Sequence, residues 1–478
     1  MCGIVGAVQG KSRSVNPFLV IGRSFRDLDH RGQHGAGAAV VGDEFAMQKN
    51  LGKATIVFDP ERPEYKTLAK ISNPKMAVGQ ARYSTQGENN KKNLQPHVLD
   101  TLCGPVCCLS NGDLPECCPL RQRLEGQGID FRSENDAEYL LRRAVQLSDG
   151  RPSRLITSIK QLMLELRGAY SAIIMTKDVM IVFRDPWGIR PLVQGALGDA
   201  PIFASETCTI KGLGANVIGT VKPGEMVVVT PAGVQDRIQV VRAARCSHCI
   251  FELIYMSRPD SFFEGVEAGA FRYRCGRRLA QEHPRPEDEF VSSVPRSGDM
   301  SAIGYAAESG HSFRITLIHK PSVGRQFIEE SESDDPRDKY SAMEGAFRHR
   351  KSGLWLDDSI MTGRTWAKLA ELIREAGCQT IDLLVASPPN RYACNYGIHT
   401  KKAEMLWINR FIGGDGRLDL VGGAKDLTIN SLGYLSHEGL LSAFEDPHSG
   451  ESESDPEQWC THCLDARPVF SEIEPVTN

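Results

Sequence analysis

The chain opens MCGIVGAV, which places Cys2 directly after the initiator methionine. Removal of Met1 would leave one residue carrying both a thiol and a free α-amine. That amine has a pKa of about 8, so a base stands beside the nucleophile. Position alone does not separate this from an ordinary buried thiol at the head of an apolar run. A thiol that attacks the side-chain amide of an amino acid needs three partners. The first is an oxyanion hole, and SNGDL offers the Asn111 side chain and the backbone N–H of Gly112. The second is a cation for the α-carboxylate, which Arg82 in ARYSTQG can bind through its two-pronged guanidinium. The third is an anion for the α-ammonium, and Asp136 in SENDAEYLLRRAVQ is suited to it. Taken singly, an Asn-Gly pair is a common turn and an arginine after a strand a common surface ion pair.

A second polar set lies some 220 residues further on. Asp357 and Asp358 follow the apolar run GLWL and precede SIMTGRTW. Two acids and small hydroxyl residues between a strand and a helix suit a ribose phosphate with Mg²⁺. Backbone N–H groups across Ser359, Thr362, Gly363, Arg364 and Thr365, with the helix N-terminus, would hold a phosphate. The acids would face ribose hydroxyls. An N-cap with acidic first-turn residues produces the same local pattern.

Two CxxC pairs, Cys246 with Cys249 and Cys460 with Cys463, have the spacing of a four-thiolate zinc site or a redox pair. Cys103, Cys107, Cys108, Cys117 and Cys118 crowd the Asn-Gly turn and by density alone invite a metal reading as well as a plain-thiol one; Cys208, Cys275 and Cys378 read as core.

These residues need a scaffold of some size, and 478 residues with 41% hydrophobic content are enough for two domains. A net charge of -4 excludes a broad nucleic-acid or membrane surface, although a local basic pocket for a small anion remains compatible. There is no apolar run of membrane-spanning length and no export signal, so the fourteen cysteines are expected as thiols or metal ligands in a cytoplasmic setting. To about residue 235 the chain is rich in short β-prone runs, including GAGAAVVG, YSAIIMT, VMIVFRD and GEMVVVT, with helices between them. Stacked sheets with helices outside follow. The helix of 133–146 is expected to open with a capping box, Ser133 with Asp136. From about 250 helix and strand alternate: VEAGAFRYRCGRRLAQEH, EDEFVSSVP, GDMSAIGYAAESG, FRITLIHK, GLWLDDS, TWAKLAELIREAG, TIDLLVASPP. That rhythm predicts a parallel α/β sheet. The acidic, Ser-rich stretch 329–339 has the composition of a mobile loop, and 445–458 that of a solvated tether.

The stretches CGIVG, HRGQHGAG, RYSTQG, NGDL, RDPWGIRPL and ASET, in that order, resemble the N-terminal-nucleophile glutamine amidotransferases. FELIYMSRPDSFFEG, VPRSG, VGRQFIE, LDDSIMTGRT, ASPPNRYACNYGI and NSLGYLSHEGL extend the resemblance over nearly the whole chain, to the amidophosphoribosyltransferase family, iron–sulfur branch. The resemblance implies a four-layer αββα glutaminase domain (2–240), an α/β phosphoribosyltransferase domain with a parallel sheet (250–440) and a C-terminal tail carrying CxxC (441–478). It implies Cys2 as nucleophile, Asn111 and Gly112 as the oxyanion hole, and Arg31, Arg82 and Asp136 as glutamine-binding residues. Ammonia would pass to the second domain and displace pyrophosphate, with Mg²⁺, from phosphoribosyl pyrophosphate. The product is 5-phosphoribosylamine, in the first step of purine synthesis. A loop around 329–345, with Arg337 in it, would close over that site. A [4Fe–4S] cluster on Cys249, Cys394, Cys460 and Cys463 is implied, against zinc on Cys246, Cys249, Cys460 and Cys463 from spacing. Inhibition by purine nucleotides and a homotetramer are also implied, as is a structural role for the pair Arg184 and Asp185.

The chain departs from the family pattern at several positions. Ser110 stands where the family has a histidine, Arg296 where it has an aspartate, and Glu344 about where it has a lysine. The loop after the acids reads Thr362, Gly363, Arg364, Thr365, with its arginine two places late. Two other functions are therefore kept open: an amidotransferase with a different or lost phosphoribosyl activity, and a non-catalytic nucleotide-binding regulator.

Overall fold

The structure, a computed structural model, describes residues 2–84, 87–115, 117–320, 336–398, 400, 402–445 and 450–476. In chain order the strands of the first half are β1 (Gly3–Val8), β2 (Gly35–Val41), β3 (Phe45–Leu51), β4 (Met76–Arg82), β5 (His97–Thr101), β6 (Gly104–Asn111), β7 (Ser171–Met175), β8 (Met180–Arg184), β9 (Val193–Leu197), β10 (Ala200–Ala204), β11 (Asn216–Thr220), β12 (Glu225–Thr230) and β13 (Gly233–Gln239). They divide into a seven-stranded sheet, β11-β9-β10-β1-β4-β2-β3, and a six-stranded sheet, β13-β12-β8-β7-β6-β5. The period-2 alternation of β1 shows why the sheets stack. Ile4 and Val8 point inward to meet Leu109, Ile173 and Val227 of the other sheet. Val5 and Ala7 point outward to Phe18, Ile21 and Phe25 on the helix Pro17–Leu28. Gly6 permits the close approach, because a Cβ there would stand 2.9 Å from Ile173 Cδ1. The helices Asp136–Leu147 and Leu155–Glu165 cover the second sheet and complete the αββα layering.

That first covering helix does not begin with the expected capping box. Asn135 is its N-cap and accepts from Ala137 N at 2.9 Å, while Ser133 donates to Glu138 at 2.7 Å. Arg184 and Asp185 are the buried structural pair that the resemblance implied. Arg184 donates to the carbonyls of Gly188, Arg190 and Val221, and Asp185 accepts from the N–H groups of Tyr170, Trp187 and Ile189.

The second half is built on four parallel strands in the order Val291–Ser293, Ser352–Asp357, Thr380–Val385, Ser431–Tyr434. Both faces of this sheet are buried, as parallel strands require: Leu354 and Leu356 enter one core, Trp355 the other. FRITLIHK is split: Phe313 makes a single parallel bridge to Val291 at the sheet's edge, and Leu317–His319 pairs antiparallel with Tyr340–Ala342 to form a separate ribbon. Of the expected mobile loop, 329–335 lies outside the described residues and Pro336–Lys339 is a short helix. Of the expected tether, 446–449 lies outside the described residues and the rest is stitched down. Glu445 bridges to Ser452, Glu453 pairs with the largely buried Arg274 at 2.5 Å, and Trp459 is buried.

One core joins the halves. It runs from Trp187 and Ile189 through Ile250 and Phe251 to Leu354, Trp459 and Leu464. The C-terminal segment returns to the first half, where Ile473–Pro475 pairs with Val241–Ala243. Among the described residues, no helix is long and apolar enough to cross a membrane.

Candidate functional site

Cys2 lies at the start of β1, between the ends of β4 and β6, because those strands finish at Arg82 and Asn111. Its nitrogen donates to Asn111 Oδ1 at 3.1 Å, and its sulfur lies 3.7 Å from the Tyr83 carbonyl. Asn111 Nδ2 is buried and has no hydrogen-bond partner, so a donor stands beside the thiol ready for an oxyanion. Gly112 follows with φ +134°, and a Cβ there would stand 2.1 Å from the Ala169 carbonyl oxygen; only glycine turns the chain at this point. Arg82 is buried. Burial lowers its pKa from the usual guanidinium value, and the neighbouring Cys2 and Asp113 oppose that fall. Asp136, in the first turn of its helix, accepts from Leu114 N at 2.7 Å. Cys2, Arg82, Gly112 and Asp136 line one small cavity, of about 10 Å³. That is roughly one water's space, so glutamine enters only as its walls part.

Arg31 is placed differently from the expectation. Its guanidinium is wholly buried and pairs with Glu206 at 2.5 Å and Glu252 at 2.9 Å, and its Nε donates to the Cys2 carbonyl at 3.1 Å. It anchors the nucleophile's strand and does not reach the glutamine pocket. Tyr83, Gln95, Ser110 and Asp113 do line that pocket. Tyr83 sits within the motif RYSTQG, but nothing local to Gln95 marked it.

A second cavity, of about 560 Å³, lies between the halves. His30, Arg31 and Tyr83 form its near side, and Asp357, Asp358, Ser359, Thr362, Gly363, Arg364 and Thr365 its far side. Every expected phosphoribosyl residue therefore meets in one place, at the C-terminal end of a parallel strand. Gly363 takes φ +74° immediately before the helix Arg364–Glu375 and packs its Cα against the Trp407 ring; it gives that helix no side-chain cap, and the first turn lines the cavity, a setting suited to an anion. Asp357 accepts from Trp366 Nε1 at 2.7 Å and from Ser297 Oγ at 3.3 Å, and Asp358 accepts from Ser359 Oγ at 2.6 Å. Burial raises the pKa of both acids, and the charge of Asp358 raises Asp357 further. Two buried carboxylates that repel each other suit a hard divalent cation or ribose hydroxyls.

Arg337 does not line this cavity; it pairs with Glu375 at 2.6 Å on the exposed side of the neighbouring helix. Lys339 and Tyr340 line it instead. Glu344 is exposed and also stands outside the lining, so it brings no negative charge to the acids.

Cys249, Cys394, Cys460 and Cys463 come together below the cavity. His248–Cys249 pairs with Trp459–Cys460, and the N–H groups of Arg391 and Tyr392 donate to the Cys463 carbonyl. After burial, the charges of the other three thiols are what raise Cys463. The charges acting on Cys246 are those of Arg184, Glu264, Asp185 and Arg245. Among the described residues, no three His, Cys, Asp or Glu side chains are placed to hold a single metal ion. Four cysteine thiols are the donor set of a four-thiolate zinc site or of an iron–sulfur cluster.

Comparison with known proteins agrees with this geometry. Residues 80–212 match the family model described as a glutamine amidotransferase domain. An amidophosphoribosyltransferase of Archaeoglobus fulgidus is 34% identical, over 93% of both chains. That of Bacillus subtilis is 34% identical over 89% of this chain and 87% of its own. A solved B. subtilis glutamine phosphoribosylpyrophosphate amidotransferase, complexed with ADP and GMP, superposes with a TM-score of 0.82 over 98% of each chain at 31% identity. A second solved structure, described as the allosteric regulatory enzyme of purine biosynthesis, has a TM-score of 0.83 over 98% of this chain and 96% of its own, at 31% identity.

Proposed function

Because the chain belongs to the amidophosphoribosyltransferase family, we infer that it makes 5-phosphoribosylamine, glutamate and pyrophosphate from phosphoribosyl pyrophosphate, glutamine and water. The observation that carries this reading is Tyr83, which lines both the nucleophile's pocket and the cavity holding the acid pair. Ammonia released at Cys2 has one side chain to pass before it reaches the second site.

With Met1 removed, the α-amine of Cys2 takes the thiol proton and the sulfur attacks the glutamine side-chain carbonyl. Asn111 Nδ2 and the Gly112 N–H hold the oxyanion. Arg82 pairs with the substrate carboxylate and Asp136 with its ammonium. The C–N bond breaks, ammonia takes the proton back, and water later releases glutamate from the thioester. In the cavity, the N–H groups before Arg364 hold the 5-phosphate, and Asp357 and Asp358 face the ribose. Ammonia forms its bond at C1 as pyrophosphate leaves. Mg²⁺ would neutralise the departing diphosphate, with the two acids and Lys339 as this chain's charges nearby.

Cys249, Cys394, Cys460 and Cys463 would hold a [4Fe–4S] cluster in a structural role. The nucleotides in the B. subtilis structure favour inhibition by purine nucleotides here as well. A homotetramer and a cytoplasmic location complete the reading. It is tested by supplying glutamine, phosphoribosyl pyrophosphate and Mg²⁺ and measuring glutamate and pyrophosphate separately. Equal release of both is expected. Glutamate without pyrophosphate would reject it in favour of an amidotransferase with another acceptor.

A further inference from the structure

A chain of buried ions connects the four-cysteine group to the nucleophile, and no step of the reaction above uses it. Arg190 is wholly buried. Its Nε and Nη2 donate to the Tyr396 carbonyl at 3.0 and 2.6 Å, two residues beyond Cys394, and its Nη1 lies 3.3 Å from Glu252 Oε1. Gly397 has φ +122°, and a Cβ there would stand 2.5 Å from Arg190 Nη2. The guanidinium thus lies against the backbone of the loop that carries Cys394. Glu252 follows Cys249 by three residues. Its two carboxylate oxygens take Arg31 in a fork, at 2.9 Å each, and Arg31 donates from Nε to the Cys2 carbonyl.

We propose that Arg190, Glu252 and Arg31 tie the occupancy of the four-cysteine site to the placement of Cys2. The proposal rests on the [4Fe–4S] reading. Geometry carries it: the guanidinium of Arg190 joins the loop two residues beyond Cys394 to the carboxylate three residues beyond Cys249. Arg31 and Glu252 have no exposed side-chain surface, so neither finds water as a substitute partner. A buried ion whose partner withdraws is strongly disfavoured. If the Cys394 loop and the Cys249 turn let go, Arg190 loses the Tyr396 carbonyl. Glu252 is then redistributed between two arginines, and the donor on the Cys2 carbonyl moves with it. Arg190, Glu252 and Arg31 are positioning residues, since none touches substrate.

The test follows three readouts without oxygen in the full chain. They are iron with acid-labile sulfide, the rate at which a glutamine-mimicking electrophile alkylates Cys2, and kcat and KM for glutamine hydrolysis. Each is taken before and after the cluster is stripped with ferricyanide and a chelator. Stripping the wild type is expected to slow alkylation about tenfold, with the loss in kcat and not in KM. Arg190→Gln should begin about tenfold slow and lose nothing more on stripping, because two blocks on one path do not add. Losses that multiply in Arg190→Gln, or a wild-type rate indifferent to stripping, would overturn the proposal. Wild-type protein with neither iron nor sulfide would sink the cofactor reading itself, and the proposal with it. Should Arg190→Gln not fold, Arg190→Lys keeps the charge, loses the fork to Tyr396 and supports the same paired comparison.

Discussion

Glu206 and Glu252, near the glutamine pocket, are buried and each faces a guanidinium; Asp357 and Asp358, across the interdomain cavity, are as deeply buried and face each other. Burial works against all four charges. For Glu206 it is outweighed by His30 and Arg31, and for Glu252 by Arg31 and Arg190, so both carboxyls stay below the usual carboxylate range. For Asp357 burial and its neighbour act in the same direction and the pKa rises. One end of the molecule is balanced by its own residues and holds Cys2 ready in a nearly closed pocket. The other end is left out of balance, which suits ribose hydroxyls, a divalent cation and a phosphate near a helix N-terminus.

Removing a group from either end separates the two. Cys2→Ala has the largest expected effect. Glutamine-dependent product should fall by more than about 10³-fold, because no other group forms the thioester. Product made from added ammonium should persist, and its loss would mean that the two ends are not independent. Asp358→Asn should do the reverse. Pyrophosphate release from either nitrogen source should drop by about 10²-fold, while glutamate release measured without phosphoribosyl pyrophosphate continues. Both are read from paired glutamate and pyrophosphate assays. Tyr83→Ala attacks the wall between the ends. Each half-reaction should survive, with the ratio of glutamate to pyrophosphate rising above one as ammonia escapes; a ratio held at one would remove Tyr83 from the ammonia path.

The same contrast explains what was legible in the sequence. Cys2, Asn111, Gly112 and Asp136 were found because each chemical role needs one residue type at a strand or helix end, and local motifs mark such ends. The acid pair and its Gly363 turn were legible for the same reason. The layering was legible too, since the apolar runs of β1 and GLWL report burial on both faces. The ion pairs of Arg31 were not legible, because its partners Glu206 and Glu252 stand 175 and 221 residues away, beyond any local pattern. Arg337 and Lys339 are two residues apart, and only the pairing of Leu317–His319 with Tyr340–Ala342 decides which of them turns to the cavity. The tether of 445–458 has the composition of a disordered segment, but Arg274 supplies a buried partner for Glu453 that composition does not register.

The smallest effect tests whether unbalanced acids in the second half occur only at its site. Asp288 lies away from the cavity, beside Asp382, and accepts from Ser352 Oγ at 3.0 Å. Burial first, and the Asp382 charge second, push its pKa up to about 7 from 3.8. The folded chain therefore holds a proton between those values that the unfolded chain has released. Stability falls as pH rises from about 4 to 7, and the whole penalty is present above 7. Asp288→Asn removes the charge without changing the shape. It should raise Tm at pH 8 by about 1–2 °C. At pH 5, where Asp288 is already protonated in the folded chain, the gain should shrink. An equal gain at both values would mean that the carboxyl is not charged at pH 8, or that Asp382 carries the shared penalty, and the double variant with Asp382→Asn separates these outcomes.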